Sequence, residues 1–298
     1  MNNGLSRSLL INAIWSFIGR FGYLSVVLIS NIILVRLLSP KEFGQVGIMM
    51  FFVVISTVLV ESGLSGALVR KQNVTENDYS TIFIFNLIVS LILMGVLVVT
   101  SGFIANFYDD AELKNILCAS SFILVINALR IVQNTKLVKN LQFKLKAIYE
   151  LIAVLIGSLI AVYLALKGAG VWALVFLQLS TSFFLTCLLW VFVEPIKSFK
   201  FSTESFKQFY KFGFNTTLAS LLNTAFDNIY QLILAKYFSI SQAGYFYQAK
   251  KLQEMPTEVL NSIMQGPVYS ALARIQNNSK EFNSLYQQVA RFFTVLTA

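Results

Sequence analysis

LVRLLSPKEFGQVGIMMFF, Leu34–Phe52, interrupts what would otherwise be one long apolar run. Its chemistry is that of a helix that stops and restarts. Pro40 turns the chain, Lys41 and Glu42 need water, and Gly44 opens the return segment. At an offset of 200 residues the chain reads LAKYFSISQAGYFYQAKKL, Leu234–Leu252, so that Ser39 and Gly44 align with Ser239 and Gly244. Arg36 with Lys236, Ser62 with Ser262 and Gly66 with Gly266 match at the same offset. Turn chemistry that returns at a fixed offset marks a second copy of one structural unit.

Composition decides the solvent. The 298 residues are 56% hydrophobic and 12% charged, with a mean hydropathy of +0.70. That charge is about half of an ordinary soluble domain's, so the chain cannot clothe itself in polar surface and belongs in a membrane. Segments of spanning length are expected at 9–38, 44–69, 79–105, 116–134, 147–166, 170–193, 212–238 and 244–272, with a ninth opening near 288. The first is far longer than a signal-peptide core and is expected to stay as a spanning helix. Connections as short as KGAG, Lys167–Gly170, make consecutive helices antiparallel neighbours. No β-barrel alternation is visible. The expected fold class is an all-α polytopic membrane protein.

Six helices separate the two copies, and six is even, so both start on the same side and form a parallel repeat. The expected organisation is a two-lobe transporter: residues 1–196 as an N-lobe with spanning helices 1–6, 197–211 as a linker, and 212–298 as the start of a C-lobe with helices 7–9. The second copy stops inside its third helix at RFFTVLTA, Arg291–Ala298. Roughly three or four further spanning helices are therefore expected beyond it. The linker opens KSFKFSTESFKQFYKFGFN, Lys197–Asn215, mixing lysines with phenylalanines. Ser202 or Thr203 can cap a helix lying in the membrane interface, its aromatics among lipids and its lysines at anionic headgroups. A helix recognised by a partner protein is the alternative.

Placing the N-terminus in the cytoplasm puts 15 Lys and Arg residues on the inner side and 7 on the outer, which favours that orientation. Most of the net charge of +9 is then topology and requires no nucleic-acid partner. The two cysteines, Cys118 and Cys187, lie in apolar stretches and behave as small hydrophobes. With no histidine, the commonest metal ligand and general base are both missing. There is no phosphate-binding G-x-x-x-x-G-K-[ST] loop and no long extramembrane loop to house a transferase site. Asp109 and Asp110 in the outer loop read better as a solvated turn than as a cation site. No enzymatic activity and no cofactor is expected.

The stretches LVRLLSPKEFGQVG, VESGLSGALVRKQ and AGYFYQAKKLQEMPTEVLNSIMQGPVYSALARIQ resemble bacterial polysaccharide flippases of the Wzx type. These belong to the superfamily of multidrug, oligosaccharidyl-lipid and polysaccharide exporters, and the likeness is strongest to the O-antigen and colanic acid branch. The resemblance covers essentially the whole chain. It implies two six-helix lobes around a central cavity, alternating access, and export of an undecaprenyl-diphosphate-linked oligosaccharide from the inner to the outer leaflet of the bacterial inner membrane. It also implies polysaccharide polymerase and glycosyltransferase partners. The chain departs from the pattern in lacking the last helices of the second lobe. A cation-coupled drug exporter and a peptidoglycan-precursor flippase of the same superfamily are the alternatives.

Polar stripes suggest where a path would run. Asn12, Ser16, Arg20, Tyr23 and Asn31 share a face of the first helix. Thr216, Ser220, Asn223, Asp227 and Gln231 do so on the seventh, and Tyr247, Lys251, Glu254, Glu258, Asn261 and Gln265 on the eighth. Charges at membrane depth cost about 2.5–3.5 kcal/mol each, so these stripes should face protein or water. Arg20, Asn31, Lys251, Asn223, Asn261 and Gln265 are the expected substrate contacts. Glu61, Asp227, Glu254 and Glu258 are the expected sites for a coupling proton or sodium ion. The plainer readings are interhelical hydrogen bonding for the amides, an Arg20–Glu61 pair, and a Lys251 that reaches the headgroups. Pro256 and Gly266-Pro267 should bend the eighth helix.

Overall fold

The computed structural model describes residues 3–61, 63–197, 199–263, 268–275 and 279–297. Every element among them is helical: α1 Asn3–Leu37, α2 Pro40–Glu61, α3 Leu64–Arg70, α4 Glu76–Phe107, α5 Glu112–Lys139 and α6 Phe143–Leu166, then α7 Val171–Phe192, α8 Thr203–Tyr237, α9 Ile240–Ile263, α10 Tyr269–Ile275 and α11 Ser279–Thr297. Six of them are long and apolar enough to cross a membrane: α1 from Ile14, α2, α4, α5, α6 and α7. The chain is a multi-pass membrane protein. At 35 and 24 residues α8 and α9 are also long enough, but they are too polar to pass the same measure. Neither does α11, where a ninth span was expected near 288.

The repeated serines are explained locally. Ser39 precedes α2, and Glu42 reaches back to accept from its backbone N–H and its hydroxyl, at 2.5 and 2.9 Å. Pro40 in the first helical position needs no hydrogen bond there. Ser239 precedes α9, and its Oγ accepts from the Gln242 N–H at 3.1 Å. Ser239 caps α9 through its hydroxyl, whereas Ser39 holds the same position before α2 with its hydroxyl donating to Glu42.

The expected span 44–69 is divided. Gly63, at φ 60°, turns the chain between α2 and α3. A hydropathy window is blind to one left-handed residue, which glycine adopts without strain. A side chain there would also meet the Gly213 carbonyl oxygen, 2.7 Å from the new Cβ. The span expected at 244–272 is represented by α9 and α10, with Pro256 inside α9; Gly266 and Pro267 lie outside the described residues.

Downstream of α7 the chain crosses the end of α4. Ser202 donates its N–H to Thr81 Oγ1 at 2.9 Å, and its own Oγ accepts from the Ser205 N–H at 3.3 Å, capping α8. Aromatic rings continue from this strap along α8: Phe199 packs on Phe83, Phe206 on Phe85, and Tyr210 stacks between Phe206 and Phe214.

The main core lies where α2 meets α5, with Leu34, Ile48, Met49, Leu113, Ile116, Leu117 and Leu124 at most 1% exposed. The periphery is equally apolar. Val99, Phe103, Leu159 and Val191 are at least 70% exposed, as a surface bathed in hydrocarbon requires. The start of α4 is fixed by a capping box between Thr75 and Asp78, and Lys71 Nζ lies 2.8 Å from the Asp78 carboxylate, which is 1% exposed. Asp78→Ala removes the carboxylate half of the capping box and the ion pair with Lys71, which keeps its hydrogen bond to Gln208, a loss of about 2 kcal/mol. A fall of several degrees in the Tm of detergent-extracted protein is the expected reading.

The turn between α1 and α2 packs directly on the turn between α8 and α9. Gly44 approaches the Ile240 carbonyl, and Gly244 approaches the Pro40 carbonyl, so closely that neither leaves space for a Cβ. Residues 40 and 44 thus exchange contacts with residues 240 and 244, the positions 200 further on.

Candidate functional site

A cavity of about 430 Å³ lies where α1, α2, α6, α7, α8 and α9 meet. Leu24, Val27, Leu34, Met50 and Val54 give it apolar walls, and most of its charge comes from α8 and α9. On α9 the lining positions are 247, 250, 251, 254, 255 and 258, the steps of three and one that keep residues on one helical face.

At one end Arg20 of α1 pairs with Glu258 of α9, the two side chains 27% and 40% exposed. The guanidinium sits 4.9 Å from the Tyr23 ring centre. Its Nε, which the pairing does not use, is buried without a hydrogen-bond partner among the described residues. Seven residues along α9, roughly 10 Å, lies Lys251. Its ammonium donates to Asn31 Oδ1 at 3.2 Å, and the Asn31 amide donates to Gln248 Oε1 at 2.9 Å. Among the described residues no carboxylate lies within ion-pair distance of Lys251. Lys250 faces α8 instead. It donates to the Asp227 carbonyl at 2.5 Å and to Asn228 Oδ1 at 3.0 Å, and lies 3.4 Å from the Glu254 carboxylate.

Three cations, Arg20, Lys250 and Lys251, therefore line the space with three carboxylates, Asp227, Glu254 and Glu258. Opposite charges spaced along a wet cavity can hold an anionic group and exchange it among donors.

The expected residues are distributed unevenly. Arg20, Asn31, Lys251, Asp227, Glu254 and Glu258 line the cavity together. Asn223 is exposed on α8 one turn from Asp227, and neither it nor Glu61, the last residue of α2, lines the cavity. The Asn261 side chain and all of Gln265 lie outside the described residues. Arg20 is paired with Glu258 rather than with Glu61. Lys251 turns inward to Asn31 instead of reaching out of the helix bundle. In the loop between α4 and α5, Asp109 is 87% exposed, but Asp110 is not solvated: it accepts from Gln45 Nε2 at 3.0 Å and pairs with Lys41 at 3.0 Å.

Lys250, Asn228, Gln248 and the α7 pair Gln178 and Thr181 line or support the site without having been singled out in the sequence. Lys250 and Asn228 were legible as immediate neighbours of Lys251 and Asp227 on the same broad helix face. Gln178 and Thr181, three apart in LQLSTS, carried a weaker sign of the same kind.

Beside the cavity, the α4–α5 loop touches α8. The Tyr108 hydroxyl donates to the Leu232 carbonyl at 3.5 Å, and burial pushes its pKa up to about 12, so it stays a neutral donor. Lys236 Nζ donates to the Phe107 carbonyl at 2.5 Å and lies 3.5 Å from Asp109.

The chain is similar to several known proteins. It is 24% identical over 287 residues to the succinoglycan biosynthesis transport protein ExoT of Rhizobium meliloti (strain 1021), covering 96% of this chain and 58% of that protein. It is 21% identical over 279 residues to the lipopolysaccharide biosynthesis protein WzxC of Escherichia coli (strain K12), covering 93% and 57%. With the teichuronic acid biosynthesis protein TuaB of Bacillus subtilis (strain 168) it shares 22% identity over 273 residues, covering 91% and 56%. The chain thus spans little more than half the length of these relatives. No solved structure matches it significantly. Residues 33–298, which include both glycine turns and the cavity wall apart from Arg20, Tyr23, Leu24, Val27, Ser30 and Asn31 of α1, match the family described as polysaccharide biosynthesis protein, and the chain belongs to that family.

Proposed function

We propose that the protein carries a lipid-linked oligosaccharide diphosphate across the bacterial inner membrane, from the cytoplasmic to the outer leaflet, by alternating access and with no covalent step. The observation that carries this reading is the cavity itself, with three cations and three carboxylates contributed by α1, α8 and α9. A sugar diphosphate bears about two negative charges, each too costly to move bare through hydrocarbon, so its head group needs a wet route with cations along it. Arg20 and Lys251 supply them, and Asn31 orients Lys251. The reciprocal contact of Gly44 with Ile240 and of Gly244 with Pro40 supports two lobes related by a pseudo-twofold axis. The cytoplasmic N-terminus rests on the Lys/Arg distribution. Asp227 and Glu254, which line the cavity opposite Lys250, are the carboxylates proposed to take a coupling proton or sodium ion. Succinoglycan, lipopolysaccharide and teichuronic acid appear in the relatives' names, which supports a saccharide cargo without choosing the sugar.

Depleting the protein in its own host tests the reading. Lipid-linked repeat units should accumulate on the cytoplasmic leaflet while surface polymer falls, and collapsing the ion gradients should reproduce the accumulation in undepleted cells. Unchanged surface polymer after depletion would sink the proposal.

A further inference from the structure

The contacts near the two ends of the cavity are built differently. Away from the repeated turns, the described hydrogen bonds and ion pairs from α1 and the α3 region to α9 or α10 are made by side chains: the Arg20–Glu258 pair, Gln72 Nε2 to the Ala273 carbonyl at 3.0 Å, and the Tyr269 hydroxyl to the Gly66 carbonyl at 3.3 Å; the close backbone approach on that side, Gly63 to the Gly213 carbonyl, is to α8. Polar side chains can let go of such partners and take water by changing rotamer. At the turns the backbones themselves touch. A Cβ on Gly44 would strike the Ile240 carbonyl oxygen and lie 2.7 Å from its carbon; one on Gly244 would strike the Pro40 carbonyl oxygen and lie 2.9 Å from Gly44 N. Both glycines are buried, and no rotamer change relieves a collision with backbone. Close backbone approach through small residues is how membrane helices pack most tightly.

The contact also lies directly against the cavity. Gly47 and Met50, within two turns of Gly44 on α2, line it, as do Tyr247, Lys250 and Lys251 on α9. Gln231 seats against Gly47 and donates to the Ala243 carbonyl at 2.9 Å, extending the seal onto α8.

We infer that Gly44 and Gly244 form a symmetric backbone joint that seals the turn-side face of the cavity, and that one methyl group on either glycine opens that face. The inference rests on the transport reading only for the naming of that face as the outer one. Because the two glycines contribute reciprocally, Gly44→Ala and Gly244→Ala should act alike.

The test replaces Cys118 and Cys187 by serine and introduces Val27→Cys, a cavity-lining position. A membrane-impermeant maleimide is then applied to intact cells and, separately, to inverted vesicles. With both glycines native, labelling from the turn side should be slow. Gly44→Ala or Gly244→Ala should speed it at least about tenfold by shifting the population toward the open face. Gly95→Ala and Gly102→Ala are the controls, since an added methyl there meets nothing within 4 Å, and they should leave the rate unchanged. Unchanged labelling from both sides in both turn variants overturns the inference. If either variant fails to accumulate, Asp109→Cys and Lys236→Cys can be joined by a short bifunctional reagent in the glycine-native chain, their parent side chains being 3.5 Å apart. The joined chain should stop exporting, and undiminished export counts against the joint. Surface polymer is scored in parallel. Faster labelling with no export defect in any variant supports the joint and rejects the transport reading.

Discussion

Arg20→Ala should cut export at least about tenfold while the protein still accumulates in the membrane. Arg20 and Glu258 are 27% and 40% exposed, so water screens the pair and its loss destabilises the fold by only about 1 kcal/mol. The functional loss is larger because the guanidinium fork keeps a buried donor beside the cavity, Nε, that has no partner among the described residues. A planar fork holds two phosphate oxygens where an ammonium acts as a point charge, so Arg20→Lys should keep only part of the activity. Surface polymer and lipid-linked repeat units are measured together in Arg20→Ala, Glu258→Ala, the double variant and the charge exchange Arg20→Glu with Glu258→Arg. If Arg20 only balances Glu258, the double variant and the exchange both recover export. If it meets the diphosphate, neither does.

The second large effect is expected at Lys251. Among the described residues it has no carboxylate at ion-pair distance, and its side-chain nitrogen rests on a neutral amide oxygen, Asn31 Oδ1, at 3.2 Å. An anion entering the cavity therefore meets no competitor for this charge. Lys251→Gln should lower export about tenfold or more, since it keeps a hydrogen-bond donor but removes the charge, and Lys251→Arg should retain a measurable fraction. If Lys251 served only to tie α9 to α1, the glutamine variant would export nearly as well as the native chain. Asn31→Ala separates the parts further: it removes the amide that turns Lys251 inward while leaving the charge, and is expected to weaken export less than Lys251→Gln.

Much of this was legible in the chain itself, for identifiable reasons. Pro40 and the charges of Lys41 and Glu42 announced the break between α1 and α2, although the return helix begins at Pro40 rather than at Gly44, and the 200-residue offset of Gly44 and Gly244 pointed to two turns that prove to lie against each other. The polar face of α9 was readable because charge in an apolar helix is expensive and its period is fixed. What the sequence hid was pairing. Nothing in periodicity distinguishes Glu61 from Glu258 as the partner of Arg20, since the choice depends on which helices cross at that depth. The break at Gly63 was hidden for a different reason: a single dihedral leaves hydropathy untouched. Asp110 looked like a solvated turn residue because its partners, Gln45 and Lys41, come from a distant segment that only folding brings near.

The length of α8 has a mechanical consequence. Its 35 residues make a rod of roughly 52 Å, and no proline interrupts it. The hydrocarbon layer is only about 30 Å thick, so part of the rod projects into water. One end is clamped by rings against α4, through Phe206 on Phe85, and the other by Lys236 on the Phe107 carbonyl. Asp227 and Asn228 ride between the clamps. Both clamps are on α4, so a swing of α8 about the Phe206 end requires Lys236 to leave the Phe107 carbonyl, and a tilt of about 10° then carries Asp227, roughly 31 Å along the rod, through about 5 Å. The strap and the cavity are thus two points on one rigid lever, and release of the Lys236 end is what lets a tilt at the strap reach the cavity wall.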